Sequence, residues 1–159
     1  MKTHSVFYVA ALALSANLWA DEGHHHHDDA AHHADVSKAG KPGKPARIDV
    51  PIPVATLDQM RYEPAEFSFK RGQTVKFIVT NKGRLAHEFG IGALEEQKAH
   101  AEMMKSMPDM KHDDPNVVTI DPGQTKELIW RFTKRGTFQI GCHVPGHYEA
   151  GMAALVRVR

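Results

Sequence analysis

Apolar and polar side chains alternate along several short segments of the chain. The clearest is TVKFIVTN, residues 74–81, whose alternate positions are Val75, Phe77 and Val79. A period of two predicts a strand with one face buried in a core. Four further segments have the character of strands: FSFK, KELIWRFT, GTFQIGC and AALVRVR. The turn sequences between strands include RGQT and DPGQT. Short strands separated by turns predict an all-β fold, an antiparallel β-sandwich.

The predicted sandwich spans residues 47–159, a length sufficient for one buried core. Its large aromatic side chains are the core candidates. They are Trp130, Phe67, Phe69, Phe77, Phe132 and Phe138.

One stretch, ALEEQKAHAEMMKSM at residues 93–107, predicts a short helical insert. Four of its side chains recur at the i, i+3, i+4 and i+7 positions of one helical face, and a further methionine follows. They are His100, Met103, Met104 and Met107, followed by Met110. Thioether and imidazole donors suit Cu(I), which makes these residues candidates for a secondary copper site. The alternative is that methionine, a frequent gap-filler, packs the helix against the sandwich.

Residues 1–20 have the pattern of a secretory signal peptide. Lys2 gives a positive start, an apolar run follows over residues 6–20, and Ala20 precedes the acidic Asp21 at a candidate cleavage site. The alternative is a membrane anchor, but the run is shorter than the ~20 apolar residues that span a bilayer. We therefore predict export to a periplasm, with no membrane span after cleavage.

Residues 21–46 differ in composition from the rest of the chain. The first part, DEGHHHHDDAAHHAD, is rich in histidine and acid and nearly lacks apolar side chains. This composition predicts a disordered tail. A Lys/Gly/Pro linker, SKAGKPGKPA, follows it. Histidine-rich tracts of this kind are typical of weak binding of Cu(II), Zn(II) or Ni(II). The candidate ligands are His24, His25, His26, His27, His32 and His33. One alternative is a solvated tail without a metal role. The other is an expression tag, but the acids interspersed among the histidines argue against a tag.

The most informative run is GCHVPGHYEAGM, which contains Cys142, His147 and Met152. A loop of this spacing can place three side chains around one ion, and a fourth ligand must then come from a distant strand, as His87 would. Thiolate, two imidazoles and thioether form the ligand set of a mononuclear blue-copper site. Cys142 is the only cysteine, so no disulfide within the chain explains it. The alternative is that Cys142 is a small buried apolar residue.

These segments together resemble the cupredoxin family of type 1 blue-copper proteins. The resemblance covers roughly residues 47–159 and is carried by YEPAEFSFKRGQTVKFIVTN, AHEFGI, IDPGQTKELIWRFTKRGTFQIGCHVPGH and GMAALVRV. It implies a Greek-key β-sandwich and one copper bound by His87, Cys142 and His147, with Met152 as the axial ligand. The histidine-rich tail and the methionine-rich insert are most similar to periplasmic cupredoxins of bacterial copper tolerance.

Two positions depart from the family pattern. Many cupredoxins have Asn directly after the first histidine, where it ties the two ligand segments together, and this chain has Glu88. His143, directly after Cys142, resembles the His-flanked cysteine of multicopper oxidases. One small domain is too short for their trinuclear centre, so we predict that His143 is a loop residue rather than an extra ligand.

Two functional hypotheses follow from the ligand set. The first is a protein that binds, buffers or oxidises periplasmic copper for copper tolerance. The second is a soluble electron-transfer protein that serves a respiratory or denitrifying enzyme and docks on a redox partner protein. Four protein ligands leave no open position for a substrate, which argues against an enzyme, although oxidation of Cu(I) is a third hypothesis. The formal net charge of +1 gives no indication of nucleic-acid binding.

Overall fold

Two mixed β-sheets, one α-helix and a short 3-10 helix at Pro45–Arg47 account for the regular structure of residues 37–107 and 114–159, the parts of the chain that this computed structural model describes. One sheet holds, in spatial order, β1 (Gly40–Pro42), β8 (Thr125–Phe132), β5 (Thr74–Asn81), β2 (Val50–Leu57) and β3 (Arg61–Glu63). The other holds β4 (Glu66–Phe69), β10 (Ala153–Val158), β9 (Gly136–Gly141), β6 (His87–Gly92) and β7 (Val117–Ile120). Helix α1 (Leu94–Ser106) follows β6. The predicted all-β, Greek-key sandwich with one helical insert is confirmed.

The sheets differ from the prediction in strand direction. β2 pairs with β5 and β4 pairs with β10 in parallel, whereas the other pairings are antiparallel. The prediction of a wholly antiparallel sandwich was therefore wrong. The chain leaves the first sheet after β3, enters the second sheet as β4 and then returns to the first sheet as β5, which lies beside β2. A long return of this kind allows parallel pairing, which a tight hairpin does not.

The core lies between the two sheets and is rich in aromatic rings. Phe69 stacks on Phe132 with ring centroids 5.0 Å apart, and Phe67 packs edge-on against Phe77. All six predicted core aromatics are buried, Trp130 completely. A fully buried side chain of this size contributes roughly 1.5–3 kcal/mol through removal of apolar surface from water. Cys142 and Met152 belong to the same buried cluster, so the candidate ligands lie at one end of the core.

The sandwich begins before residue 47, within the segment that the sequence analysis assigned to a Lys/Gly/Pro linker. Ala39 is fully buried, and β1 pairs antiparallel with β8. Ser37 Oγ and the Lys38 backbone N–H donate to the carboxylate of Glu96 on α1, at 2.8 and 2.7 Å. The Lys/Gly/Pro composition is compatible with this role because Pro42 lies on an edge strand, where proline is tolerated.

Several predictions fall outside the described residues. These are the signal peptide at residues 1–20, the six tail histidines, and Met110. Among the described residues, no helix combines the length and the apolar character needed to cross a membrane.

Helix α1 begins and ends close to its predicted limits. Glu95 and Glu96 lie in its first turn and Lys105 in its last, an arrangement that complements the helix dipole. The Glu96 carboxylate also accepts the Ala93 N–H at 2.7 Å, which stabilises the start of the helix. Gln97 Nε2 donates to the carbonyls of Gly90 and Gln139, both at 2.9 Å, and this holds the helix on β6 and β9.

Candidate metal centre

The loop at residues 142–152 joins β9 to β10 and is closed at its base by backbone hydrogen bonds. The Cys142 N–H donates to the Met152 carbonyl at 3.1 Å, and the Met152 N–H donates to the His147 carbonyl at 3.0 Å. Gly146 and Gly151 have positive φ values of 86° and 95° within the turns of this loop. Glycine adopts such a conformation without the strain that a Cβ atom would add. The loop therefore ties together the backbone of three predicted ligands.

Three of the four predicted ligands converge in space. One donor atom each from His87, Cys142 and His147 lies within 4.8 Å of the other two. Cys142 Sγ is 3.4 Å from His147 Nδ1, and the two imidazole rings have centroids 5.1 Å apart. Met152 is fully buried at the end of the same loop. The structure thus brings together a thiol and two imidazoles, with Met152 buried at the end of the same loop.

Asp58 orients His87, an interaction that no pattern in the sequence indicated. The Asp58 carboxylate lies 3.1 Å from His87 Nε2 and accepts the backbone N–H groups of Arg84 and Leu85 at 2.7 and 3.3 Å. The Arg84 N–H is the main reason that the pKa of Asp58 is lowered. With Nε2 held by a carboxylate, His87 presents Nδ1, which is buried and has no hydrogen-bond partner among the described residues. Partners of this kind fix the orientation of metal-binding histidines.

Cys142 is fully buried and belongs to the apolar core cluster. Burial raises the pKa of its thiol to about 12, although N–H groups from Glu88 and Val144 act in the opposite direction. The Glu88 N–H lies 3.3 Å from Sγ. A thiol in this setting stays protonated at neutral pH, so a metal ion must displace the proton before it binds.

His147 is the most exposed of the three converging residues. Partial burial lowers the pKa of its imidazole, and the neighbouring His87 lowers it further. The ring is therefore neutral at pH 7, the form that binds metal ions. Its partial exposure makes His147 the predicted ligand that lies nearest to solvent.

Glu88 ties the two ligand segments together, as the family's Asn does. Its Oε2 accepts the backbone N–H of His143 at 3.3 Å, while its own N–H points to Cys142 Sγ. The Tyr62 hydroxyl, fully buried, donates to the Glu88 carbonyl and fixes the same stretch of backbone. The departure from Asn therefore keeps the link between the segments and adds a carboxylate.

His143 is in a loop, as predicted, but it is only 2 % exposed. Its ring lies against His100 of α1, with centroids 4.3 Å apart, and against Tyr148 at 5.3 Å. His100 thus faces His143. Along the same helix Met104 is buried, Met103 is half-buried and Met107 is 44 % exposed.

The donors fit copper. His87 Nδ1 is a buried nitrogen left for a ligand, the cysteine is the strongest soft donor, and His147 is held neutral. Soft sulfur with imidazole selects copper over hard cations such as Mg²⁺ or Ca²⁺. No described carboxylate belongs to this donor set, which argues against a hard-metal site.

A model of the copper-binding proteins of the plastocyanin/azurin family matches residues 49–159. That match covers well over half of the chain. The chain therefore belongs to this family, the cupredoxins, as its fold and donor set indicated.

Two curated relatives align with most of the chain. The copper-resistant cuproprotein CopI of Rubrivivax gelatinosus is 44% identical over 154 residues, which cover 95% of this chain and 93% of that protein. The protein of the same name in Vibrio cholerae is 36% identical over 124 residues, or 77% of this chain and 73% of the relative.

Solved structures support the fold. The reduced auracyanin of Roseiflexus castenholzii aligns with a TM-score of 0.61 at 20% identity, covering 70% of this chain and 98% of that protein. Auracyanin A of Chloroflexus aurantiacus, described as a blue copper protein, aligns with a TM-score of 0.58 at 22% identity, covering 69% and 98%. At this identity the likeness establishes a shared fold.

Proposed function

We propose that this protein is exported to the periplasm and binds and buffers copper there, as part of copper tolerance. The observation that carries the proposal is the convergence of His87, Cys142 and His147 within 4.8 Å. Relatives named copper-resistant cuproproteins, similar over most of their length, support the physiological role.

The ligand roles follow from the site. Cys142 provides the thiolate, steadied by the Glu88 N–H, and His87 and His147 provide imidazole nitrogens. Met152 is the weak axial ligand, a role that tunes a blue-copper site more than it holds the metal. Copper bound here would exchange one electron between Cu(I) and Cu(II), and the donor set accepts both states.

The rigid surroundings favour holding copper over chemistry on a substrate. Asp58 fixes His87, and backbone hydrogen bonds close the loop from Cys142 to Met152. Four protein ligands leave no open coordination position. The six tail histidines and the methionine face of α1 are proposed to add binding capacity, which a pure electron carrier does not need.

Copper tolerance is tested in a strain that lacks the gene. Complementation with the full-length wild-type gene is expected to restore growth on copper, whereas Cys142→Ser is expected to leave the strain sensitive. Glu149→Gln, an exposed change in the same loop, is the matched control and is expected to restore growth. Full rescue by Cys142→Ser, with equal protein levels, would contradict the proposal.

Electron transfer is the second candidate function, and the partial exposure of His147 favours it. An imidazole edge at the surface, beside the exposed Pro145 and Gly146, offers a short path to a docked partner. The same deletion strain separates the two functions. A respiratory defect at trace copper, with normal copper tolerance, would favour the electron carrier.

A further inference from the structure

A second group of donors lies beside the copper site. One ligand atom each from Glu88, His100 and His143 lies within 4.8 Å of the other two. We propose that these residues form a separate binding site for a divalent transition-metal ion, Cu(II) or Zn(II). The site goes beyond the proposed copper-buffering function and stands on its own geometry.

Strand geometry separates the two donor groups. In β6, His87 is followed by the core residues Phe89 and Ile91 at every second position. Side chains alternate between the faces of a strand, so Glu88, Gly90 and Gly92 face the other way, toward α1. A Cβ atom on Gly92 would lie 3.1–3.2 Å from Glu96 and Gln97, which confirms that the helix covers this face.

The residues next to the blue-copper ligands supply the second group. Glu88 follows His87 and His143 follows Cys142, so each ligand segment offers one donor to each site. His100 comes from α1, which lies over the outer face. The helical insert is therefore what completes the second group.

Glycines leave room for the His143 ring. A Cβ atom on Gly141 would lie 3.1 Å from His143 Nε2, closer than ordinary contact, and one on Gly90 would lie 3.8 Å from Cε1. A cavity of about 190 Å³ opens beside the ring, and His100, His143, Asp114 and Glu96 are among its lining residues. An ion can reach the two imidazoles through this cavity.

The spacing of the donors suits a metal better than a direct ion pair. His143 Nδ1 and Glu88 Oε2 are 4.0 Å apart, which is too long for a hydrogen bond. Two ligands at ~2.0 Å from one tetrahedral ion are separated by roughly 3.3 Å, so a small closure brings these atoms to bonding positions. Glu88 is nearly fully buried, and its Oε2 accepts the backbone N–H of His143, which holds the carboxylate beside the two imidazoles.

The donor types set the class of ion. Two imidazoles and a carboxylate contain no sulfur, so the set is harder than that of the blue-copper site. It favours Cu(II) and Zn(II) over Cu(I), with Cu(II) the tighter of the two. Three protein ligands leave a position for water or a further donor.

Zinc is the probe that separates this site from the others. Full-length protein is prepared with its six tail histidines replaced by asparagine and with one copper in the blue site, and bound zinc is then counted by mass spectrometry of the metals. We expect one zinc per chain, with the visible copper band unchanged.

His100→Gln and Glu88→Gln are each expected to weaken zinc binding more than ~100-fold, beyond the loss usual for residues that only orient ligands. Glu102→Gln, an exposed carboxylate on the same helix, is the matched control and is expected to keep one zinc. The visible copper band is followed in the His100→Gln variant, where it is expected to be unchanged because His100 is not one of the four predicted copper ligands. Retention of zinc by both variants, or no zinc in the parent protein, would overturn the proposal.

Zinc-edge measurements on the parent protein keep the test decisive if a variant fails to fold. An anomalous diffraction peak is expected between Glu88, His100 and His143, with only nitrogen and oxygen neighbours in the absorption spectrum. A peak elsewhere, or sulfur bound to zinc, would assign the ion to Cys142 or to the methionines and overturn this site.

Discussion

The two faces of β6 carry donor groups of opposite character. On the core face His87 joins Cys142, His147 and the buried Met152, a soft set that is buried except for the partly exposed His147. On the helix face Glu88 joins His100 and His143 beside an open cavity, a harder set without sulfur among its donors. Each of the two ligand segments therefore contributes to both groups, because consecutive side chains of an extended chain point in opposite directions, and α1 adds His100 to the second group.

The comparison also shows what a sequence reveals about a site. Three core-face donors fall within one loop, so their spacing is visible in the sequence. The helix-face donors come from three separate segments, and only the packing of α1 on β6 brings them together. His143 was accordingly predicted to be a loop residue, and His100 was grouped with the methionines.

The largest expected effect is on the core face. In Cys142→Ser the intense visible band of the Cu(II) protein is expected to disappear, because thiolate-to-copper charge transfer needs the sulfur. Absorption spectroscopy at one copper per chain measures it. His143→Gln, next along the chain, is the control and is expected to stay coloured; a coloured serine variant would refute the ligand assignment.

Proton release sharpens the same prediction. Burial raises the pKa of Cys142 to about 12, so copper binding at pH 7.5 must displace its proton. On binding copper, the Cys142→Ser protein is expected to release one proton fewer than the wild-type protein in a pH-stat titration. Because protons compete for the sulfur, copper affinity is expected to fall as the pH falls. Equal release by both proteins would show that Cys142 does not bind the metal.

The helix face is expected to respond to Gly141→Ala. The new Cβ would lie 2.7 Å from Gln97 Oε1 and 3.1 Å from the His143 ring, and Gln97 is held by two hydrogen bonds. Overpacking of this kind costs about 1–3 kcal/mol, and we expect zinc binding to weaken while the copper band persists. Urea unfolding measures the change. Gly90→Ala, whose nearest contact is 3.3 Å, is expected to be milder, and the reverse order would contradict this packing.

Met152→Leu is expected to have a smaller effect. The shapes are similar, so stability changes by less than ~1.5 kcal/mol. The weak axial bond contributes little to affinity but influences the redox potential. Voltammetry is expected to show a shifted potential with the visible band retained, and loss of copper from the folded variant would mean that Met152 is a main ligand.

The smallest expected structural effect comes from replacing Met103, Met104, Met107 and Met110 together by leucine. Met104 is buried and packs, whereas Met107 is 44 % exposed. If these methionines bind Cu(I), the folded variant is expected to bind less Cu(I) in competition with a chromophoric chelator. Zinc binding by Glu88, His100 and His143 is expected to persist. Unchanged Cu(I) uptake would leave these residues with packing alone.

The fold was predictable where alternation was uninterrupted. β5 has the predicted bounds, Thr74–Asn81, because Val75, Phe77 and Val79 all enter the core. β2 escaped prediction because Pro51 and Pro53 interrupt its pattern. They are tolerated because β3 pairs only with residues 55–57, which leaves the proline half of β2 as an edge.

The site was predictable as far as its donors are local. Met152 and His147 follow Cys142 in one loop, but Asp58 lies 29 residues before His87 and meets it only through the fold. The N–H from Glu88 to Cys142 Sγ depends in the same way on the adjacent ligand segments. No local pattern encodes such partners, which is why the sequence predicted the ligands without the groups that orient them.

X-ray absorption at the copper edge tests the central claim most directly. The full-length protein is loaded with one equivalent of Cu(II), and the neighbours of the metal are read from the spectrum. The ligand set predicts one short copper–sulfur distance from Cys142 and two imidazole nitrogens from His87 and His147. A copper surrounded by nitrogen and oxygen alone would contradict it and move the bound metal to the histidines outside this centre.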